Sequence, residues 1–301
     1  MNKRISYWHK TIWRLARTPV IHLIKAVYRW GDRRQIEKRS RLAANIASDE
    51  RIATLVDDFR QQGFCKLDAV VDGALLQAVG QAGLQKLQRA NDAARTQDVQ
   101  HKDFWMRLLD EDKVDGMLPT DNPFVAFALQ PAVIAILARI YGELPLLDDV
   151  LMTLSRPTGK ALALSQLWHR DYDDTRTVKM FIYLTDVASA QDGPFTFVDG
   201  PLSDRLGSSL RSRRDDDEIS SQVPVKAIRE MLAPRLSVFM VETSRCLHMG
   251  SRVTPGHERL LYTASYISVP RLYPEPPSRF RTIGNESEAV RWLLAPAGAD
   301  A

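Results

Sequence analysis

The sequence predicts an α+β chain that is mainly β in its second half: a jelly roll or β-sandwich with helices from the first half packed outside it. Three observations predict it. Between residues 34 and 141 the apolar residues recur mostly at helical spacing. From 145 to 268 they come instead as short β-branched and aromatic runs separated by turn residues. Pro270, Pro274, Pro276 and Pro277 then end the β region. Apolar residues make up 45% of the 301 and charged residues 26%, which supports a sizeable core and excludes whole-chain disorder.

Taken in order, residues 1–30 form a basic arm. Ile5, Trp8, Ile12, Trp13, Leu15 and Ala16 fall near helical spacing, Thr18-Pro19 interrupts, and Val20, Leu23, Ile24, Val27, Tyr28 and Trp30 continue. His22, Lys25 and Arg29 break any secretory h-region. Residues 34–62 are charged and helical in pattern, and Gly63 ends them. Phe64–Leu67 reads as a short strand. Asp72 reads as the cap of a helix reaching Ala90. Residues 95–122 are polar and irregular around Phe104-Trp105, and another helix covers 124–141. The expected strands are Leu147–Ser155, Leu164–Asp171, Val178–Leu184, Phe195–Val198, Leu236–Glu242, Leu247–Val253 and Leu260–Val269. Residues 203–221 are a charged insertion, read as a solvated loop or as a lid. A last short helix is expected over 286–294. The chain thus divides into an arm over 1–48, a β domain with helical support over 49–280, and a tail over 281–301.

The net charge of +4 hides an asymmetry. Residues 1–41 hold twelve Lys/Arg against two acids, whereas the rest of the chain holds 29 against 35. Three readings of the arm follow: an anionic membrane surface with the Trp side toward acyl chains, packing on its own domain or in an oligomer, or an organelle transit peptide. Nucleic acid is a poor fit, because the basic residues sit in a segment rich in Trp, Ile and Leu. No run of 18 apolar residues exists, and two cysteines, Cys65 and Cys246, make no disulfide framework. The expected location is cytoplasmic, with peripheral attachment to the inner face of a membrane if the arm binds lipid.

The chemistry concentrates on few residues. Six histidines are present, and His169-Arg170-Asp171 falls on an expected strand. Residues i and i+2 of a strand point the same way, so imidazole and carboxylate converge. His248 lies on another expected strand. Two histidines and one carboxylate on one face form the triad that suits Fe(II) and leaves coordination positions open. The same donors also bind Zn(II), which activates water for hydrolysis. H-x-D alone is a weak signal, and a second one, His101-Lys102-Asp103, reads as a surface pair. Arg259 follows His248 across a Pro255-Gly256 turn, which places it on a return strand beside His248. A guanidinium there would hold a carboxylate bidentately.

The run LWHRDYDDTRTVKMFIYLTDVASAQDGPFTFVDGPLSDR, with VFMVETSRCLHMGSRVTPGHERLLYTASYI after it, resembles the phytanoyl-CoA dioxygenase family. The resemblance covers roughly residues 64–268 and is clearest over 164–268. It implies a double-stranded β-helix and an enzyme dependent on Fe(II), 2-oxoglutarate and O2. It implies iron ligation by His169, Asp171 and His248, and a grip by Arg259 on the distal carboxylate of 2-oxoglutarate. The reaction implied is hydroxylation of a C–H bond, with succinate and CO2 as co-products. Asp171 favours hydroxylation, since related halogenases lack that carboxylate. Where the family often has Pro-Gly-Ser-His, this chain reads Asp199-Gly200-Pro201-Leu202-Ser203, so no substrate role is carried over to that segment.

Thr153 and Ser265 lie on strands expected to line the barrel, as further carboxylate partners or as packing. Tyr183 and Phe181 are wall candidates, and Lys179 is either a pocket cation or a surface charge. Trp168 is expected in the core and Cys246 in inert packing. The substrate expected is a small molecule, a lipid or a lipid-linked saccharide of an envelope glycolipid. The competing readings are a catalytically silent jelly-roll scaffold and a zinc hydrolase using the same triad.

Overall fold

The computed structural model describes residues 19–94, 104–207, 213–272 and 279–294. His9, His101, Asp103, residues 208–212 of the insertion, Pro274, Pro276 and Pro277 lie outside the described residues, as do residues 1–18 and 295–301.

Helix α1 (Pro19–Gly31) starts on a proline, which fits a first helical turn because the N–H there needs no partner. It is followed by α2 (Arg33–Ala44) and α3 (Glu50–Gln62). The Asp49 carboxylate caps α3 by accepting the Ile52 N–H, and Gly63 closes it at φ 72°. A Cβ on Gly63 would stand 2.5 Å from Cys246 Sγ, so only glycine fits between α3 and the strand leading to His248. Strand β1 (Phe64–Lys66) precedes α4 (Gly73–Ala94), where Asp72 accepts the N–H groups of Ala74 and Leu75 at 2.8 and 2.9 Å. Short strands β2 (Trp105–Arg107) and β3 (Leu118–Pro119) follow.

The helix expected over 124–141 is two helices, α5 (Pro123–Ala128) and α6 (Pro131–Tyr141). Pro131 has no N–H to continue the ladder and pushes Gln130 into an extended conformation. The remaining elements are β4 (Leu146–Ser155), β5 (Thr177–Tyr183), β6 (Thr196–Val198), α7 (Gly200–Arg205), α8 (Asp216–Ser220), β7 (Ile228–Glu230), β8 (Val238–Glu242), β9 (His248–Met249), β10 (Arg259–Ile267), β11 (Phe280–Arg281) and α9 (Glu288–Leu294).

The strands form a jelly roll. Its major sheet has the order β1-β8-β5-β10-β4-β2, antiparallel throughout, and its minor sheet the order β7-β6-β9. Period-two alternation gives the major sheet two different faces. Val150, Met152 and Leu154 of β4, Met180 and Ile182 of β5, and Leu260, Tyr262 and Ala264 of β10 join α5 and α6 in the main apolar core. Tyr262 and Tyr266 donate their hydroxyls to the Phe124 and Ala128 carbonyls of α5, which satisfies their buried polar tips. The alternate residues, Thr153, Lys179, Phe181, Arg259, Leu261, Thr263 and Ser265, line a cavity between the sheets.

Candidate metal and co-substrate site

The expected strand Leu164–Asp171 is largely absent. Residues Leu164–Gln166 form a 3₁₀ turn, and only Trp168 and His169 make ladder contacts, with Arg214 and His248. That short contact suffices to build the site. His169 and His248 are direct antiparallel partners, exchanging backbone hydrogen bonds of 2.8 and 2.9 Å. Asp171, two residues on, donates its N–H to the Thr243 carbonyl. The donor atoms of His169, Asp171 and His248 all lie within 4.8 Å of one another.

The imidazoles are oriented by their own backbone. His169 Nδ1 bonds the Leu167 carbonyl at 2.8 Å, and His248 Nδ1 bonds the Cys246 carbonyl at 2.9 Å. A carbonyl only accepts, so each Nδ1 carries the proton and each Nε2 presents a lone pair. These Nε2 atoms lie 3.6 and 3.7 Å from the Asp171 carboxylate oxygens. Such distances are too long for hydrogen bonds and suit neighbouring donors around one cation. Burial and the neighbouring His169 hold His248 down to about 3, and burial also lowers His169, so both rings are neutral at pH 7. Burial alone would raise Asp171, but Lys179 and the two histidines outweigh it and hold the carboxyl well below its usual range. Three deprotonated donors therefore fit a divalent metal of the facial-triad type.

Lys179 belongs to the cavity. Its ammonium bonds Asp171 Oδ2 at 2.8 Å and lies 3.5 Å from Asp173. Burial would lower it, yet the two carboxylates raise it above its ordinary value. Sequence reading could not choose between pocket and surface here, because the choice depends on which strand face turns inward. Phe195 stacks on His248 with 5.2 Å between ring centroids and forms part of the apolar wall.

Arg259 starts β10 opposite Ser155 and is 2% exposed. Its guanidinium donates to the Gly193 carbonyl and, at 2.7 Å, to Ser251 Oγ, while Nε has no partner. Among the described residues no carboxylate pairs with it, and burial lowers it from its ordinary value with only the Tyr183 phenol acting the other way. Gly193 has φ 66°, and a Cβ there would press on Val253 at 2.9 Å. Ser251 adopts φ 62°, a strained backbone for serine, and its carbonyl is held by Gln166 at 3.0 Å. Sequence reading missed Ser251, since nothing in residue type signals a left-handed serine.

All six candidate site residues, His169, Asp171, His248, Arg259, Thr153 and Ser265, line this one cavity of about 420 Å³. Ser265 is the register partner of Lys179, and Thr153 that of Leu261. Tyr183 does not line it, because its hydroxyl donates to the Met231 carbonyl and accepts the Phe195 N–H. Cys246 is fully buried in the cluster of Phe181, Tyr183 and Phe239, where burial pushes its thiol up to about 12. Trp168 is in a second core with Val198, Ile219 and Leu247. The described part of the charged insertion is not a free loop. Arg214 pairs with Trp168, Asp216 accepts the Trp168 indole N–H at 2.8 Å, and Arg213 lines the cavity. In the Asp199–Ser203 segment, Ser203 Oγ accepts the Leu247 N–H and donates to the Val198 carbonyl, stitching the His248 strand to β6.

No protein-family model matches the chain, and no curated protein matches it. Solved structures do. The chain is similar to the epimerase SnoN in complex with Fe3+, alpha ketoglutarate and nogalamycin RO, with 16% identity and a TM-score of 0.55 over 83% of this chain and 96% of that one. It is similar to the non-heme alpha ketoglutarate dependent carbocyclase SnoK from nogalamycin biosynthesis, with 16% identity and a TM-score of 0.51 over 85% and 93% of the two chains. It is also similar to EctD from S. alaskensis with bound Fe, with 15% identity and a TM-score of 0.51 over 77% and 83%. The chain has the jelly-roll fold of these non-haem iron enzymes.

Proposed function

We propose that this chain is an Fe(II)- and 2-oxoglutarate-dependent dioxygenase of the phytanoyl-CoA dioxygenase-like type. It hydroxylates an unactivated C–H bond of a small-molecule, lipid or lipid-linked substrate. The observation that carries this reading is Arg259: a buried guanidinium without a carboxylate partner among the described residues, in the same cavity as a His/Asp/His cluster whose Nε2 atoms are free. A buried cation of this kind is costly until an anion reaches it. A zinc hydrolase needs the three ligands but not the arginine, and a silent scaffold needs neither.

In this reading His169, Asp171 and His248 hold the metal, and Lys179 holds the second oxygen of Asp171 so that its carboxylate keeps one orientation. Arg259 and Ser251 bind the distal carboxylate of 2-oxoglutarate, with Thr153 and Ser265 as further hydrogen-bonding groups on the same sheet face. Phe181, Phe195 and Leu261 keep water from the reacting atoms. Bound iron would supply O2 activation, with 2-oxoglutarate as the two-electron reductant that leaves as succinate and CO2. One oxygen atom enters the substrate C–H bond and the other enters succinate. The shared fold also hosts an epimerase and a carbocyclase, so the reaction type rests on the site and not on the fold.

The test is anaerobic titration with Fe(II) and 2-oxoglutarate, following the visible charge-transfer band of a metal-chelated 2-oxo acid. Wild type should develop the band. Arg259→Ala should lose it at the same 2-oxoglutarate concentration while still binding iron. His169→Ala and His248→Ala should each lose iron itself. An absent band with iron demonstrably bound overturns the reading in favour of the hydrolase or scaffold.

A further inference from the structure

Helix α1 is inside out for a surface helix. A helix on a soluble domain turns its apolar stripe inward and its charges outward. In α1 the residues facing the body are Ile21, Lys25 and Arg29, one turn apart. Lys25 Nζ pairs with the fully buried Asp174 at 2.8 Å and also donates to the Ser268 and Pro270 carbonyls. Arg29 grips Glu143 bidentately at 2.7 and 2.8 Å. The opposite face carries Val20, Leu23, Val27 and Trp30, which are 52, 65, 58 and 71% exposed. Their spacing of three, four and three residues puts them on one stripe. Of the twelve large exposed apolar residues among those described, five, counting Tyr28, are on this one helix. The Arg33 guanidinium stands 5.6 Å from the Trp30 ring centroid, and Arg33, Arg34, Lys38 and Arg41 of α2 are exposed just beyond.

We propose that this stripe is a docking face for an anionic bilayer surface. An exposed apolar stripe with a tryptophan at its end and cations beside it matches the acyl–headgroup boundary. Charge selects this partner over a second copy of the chain. A symmetric dimer through α1 would bring two basic arms together, each twelve Lys/Arg against two acids over residues 1–41. Anionic headgroups complement that charge and repel the acidic remainder of the chain, which orients the body away from the bilayer. One buried ion pair, Lys25–Asp174, and one half-buried pair, Arg29–Glu143, fix the helix to the domain, so docking also positions the cavity: Asp174 holds Lys25, and Asp173 beside it lines the cavity. Among the described residues no helix is long and apolar enough to cross a membrane.

The test is flotation of the full, metal-free chain with vesicles of phosphatidylcholine alone and of phosphatidylcholine with phosphatidylglycerol. The absence of metal makes its outcome independent of the oxygenase reading. Wild type should float with the anionic vesicles, and Leu23→Ser/Val27→Ser should bind roughly a hundredfold more weakly. Arg33→Gln/Arg34→Gln should weaken binding by roughly fivefold per charge. The substituted side chains are exposed, so melting temperature and iron binding should be unchanged. The proposal is overturned if wild type ignores anionic vesicles, or if Leu23→Ser/Val27→Ser floats as well as wild type. It is equally overturned if sedimentation finds a dimer that this double substitution dissociates while vesicles are not bound.

Discussion

Two parts of the molecule, the seat of α1 and the cavity, hold their cations differently. Under α1, Lys25 and Arg29 meet Asp174 and Glu143, carboxylates that are 0 and 3% exposed. In the cavity, Lys179 meets Asp171, but Arg259 meets only a carbonyl, a serine hydroxyl and an unfilled Nε direction. The difference separates architecture from function. A cation whose counter-ion is built in fastens the chain to itself. Arg259 has no carboxylate partner among the described residues and lines the cavity, which places it to receive an anion from outside.

The contrast breaks most visibly at Lys25. Lys25→Met leaves Asp174 buried with its charge uncompensated, and should cost about 3–5 kcal/mol in denaturant unfolding. A loss below about 1 kcal/mol would mean that the α1 docking is loose. Arg259→Met makes the complementary test. It removes a buried charge that has no carboxylate partner among the described residues, so the melting temperature should stay level or rise. Affinity for 2-oxoglutarate should fall roughly hundredfold or more. A melting temperature that drops as far as in Lys25→Met would make Arg259 structural and erase the comparison. Smaller still is Ser251→Ala, which deletes one hydrogen bond to the guanidinium and should weaken 2-oxoglutarate binding roughly tenfold with iron affinity unchanged.

Much of this was legible in the chain before any coordinates. The change from helical to alternating patterning near residue 145 marks where the jelly roll begins, and Asp72 and Gly63 mark helix ends by chemistry that sequence displays directly. His169, Asp171 and His248 were readable from the H-x-D pattern and the family resemblance, although the strand expected to align the first two is largely absent. The break at Pro131 was missed by the reading of one helix over 124–141, although a proline after Gln130 signals it. Other features were beyond reach. The strand over 164–171 dissolves because Trp168 and His169 alone find ladder partners, and pairing is a property of two segments. Lys179 becomes a cavity group only through the register that sets Ser265 beside it, and Asp173 joins it from the preceding loop at 3.5 Å. The inverted placement of α1 depends on Asp174 and Glu143, which lie more than a hundred residues away in the chain.

The backbone bridge between His169 and His248 sets an order of assembly. Two main-chain hydrogen bonds already hold the pair in register, and each ring is locked by a carbonyl two residues earlier. In small zinc domains the cation gathers its ligands and the fold arrives with it. Here a backbone bridge already holds the two histidines together, and the Asp171 N–H is bonded to the Thr243 carbonyl. A chain made without iron should therefore keep its fold, be storable in that form, and take up the cation late.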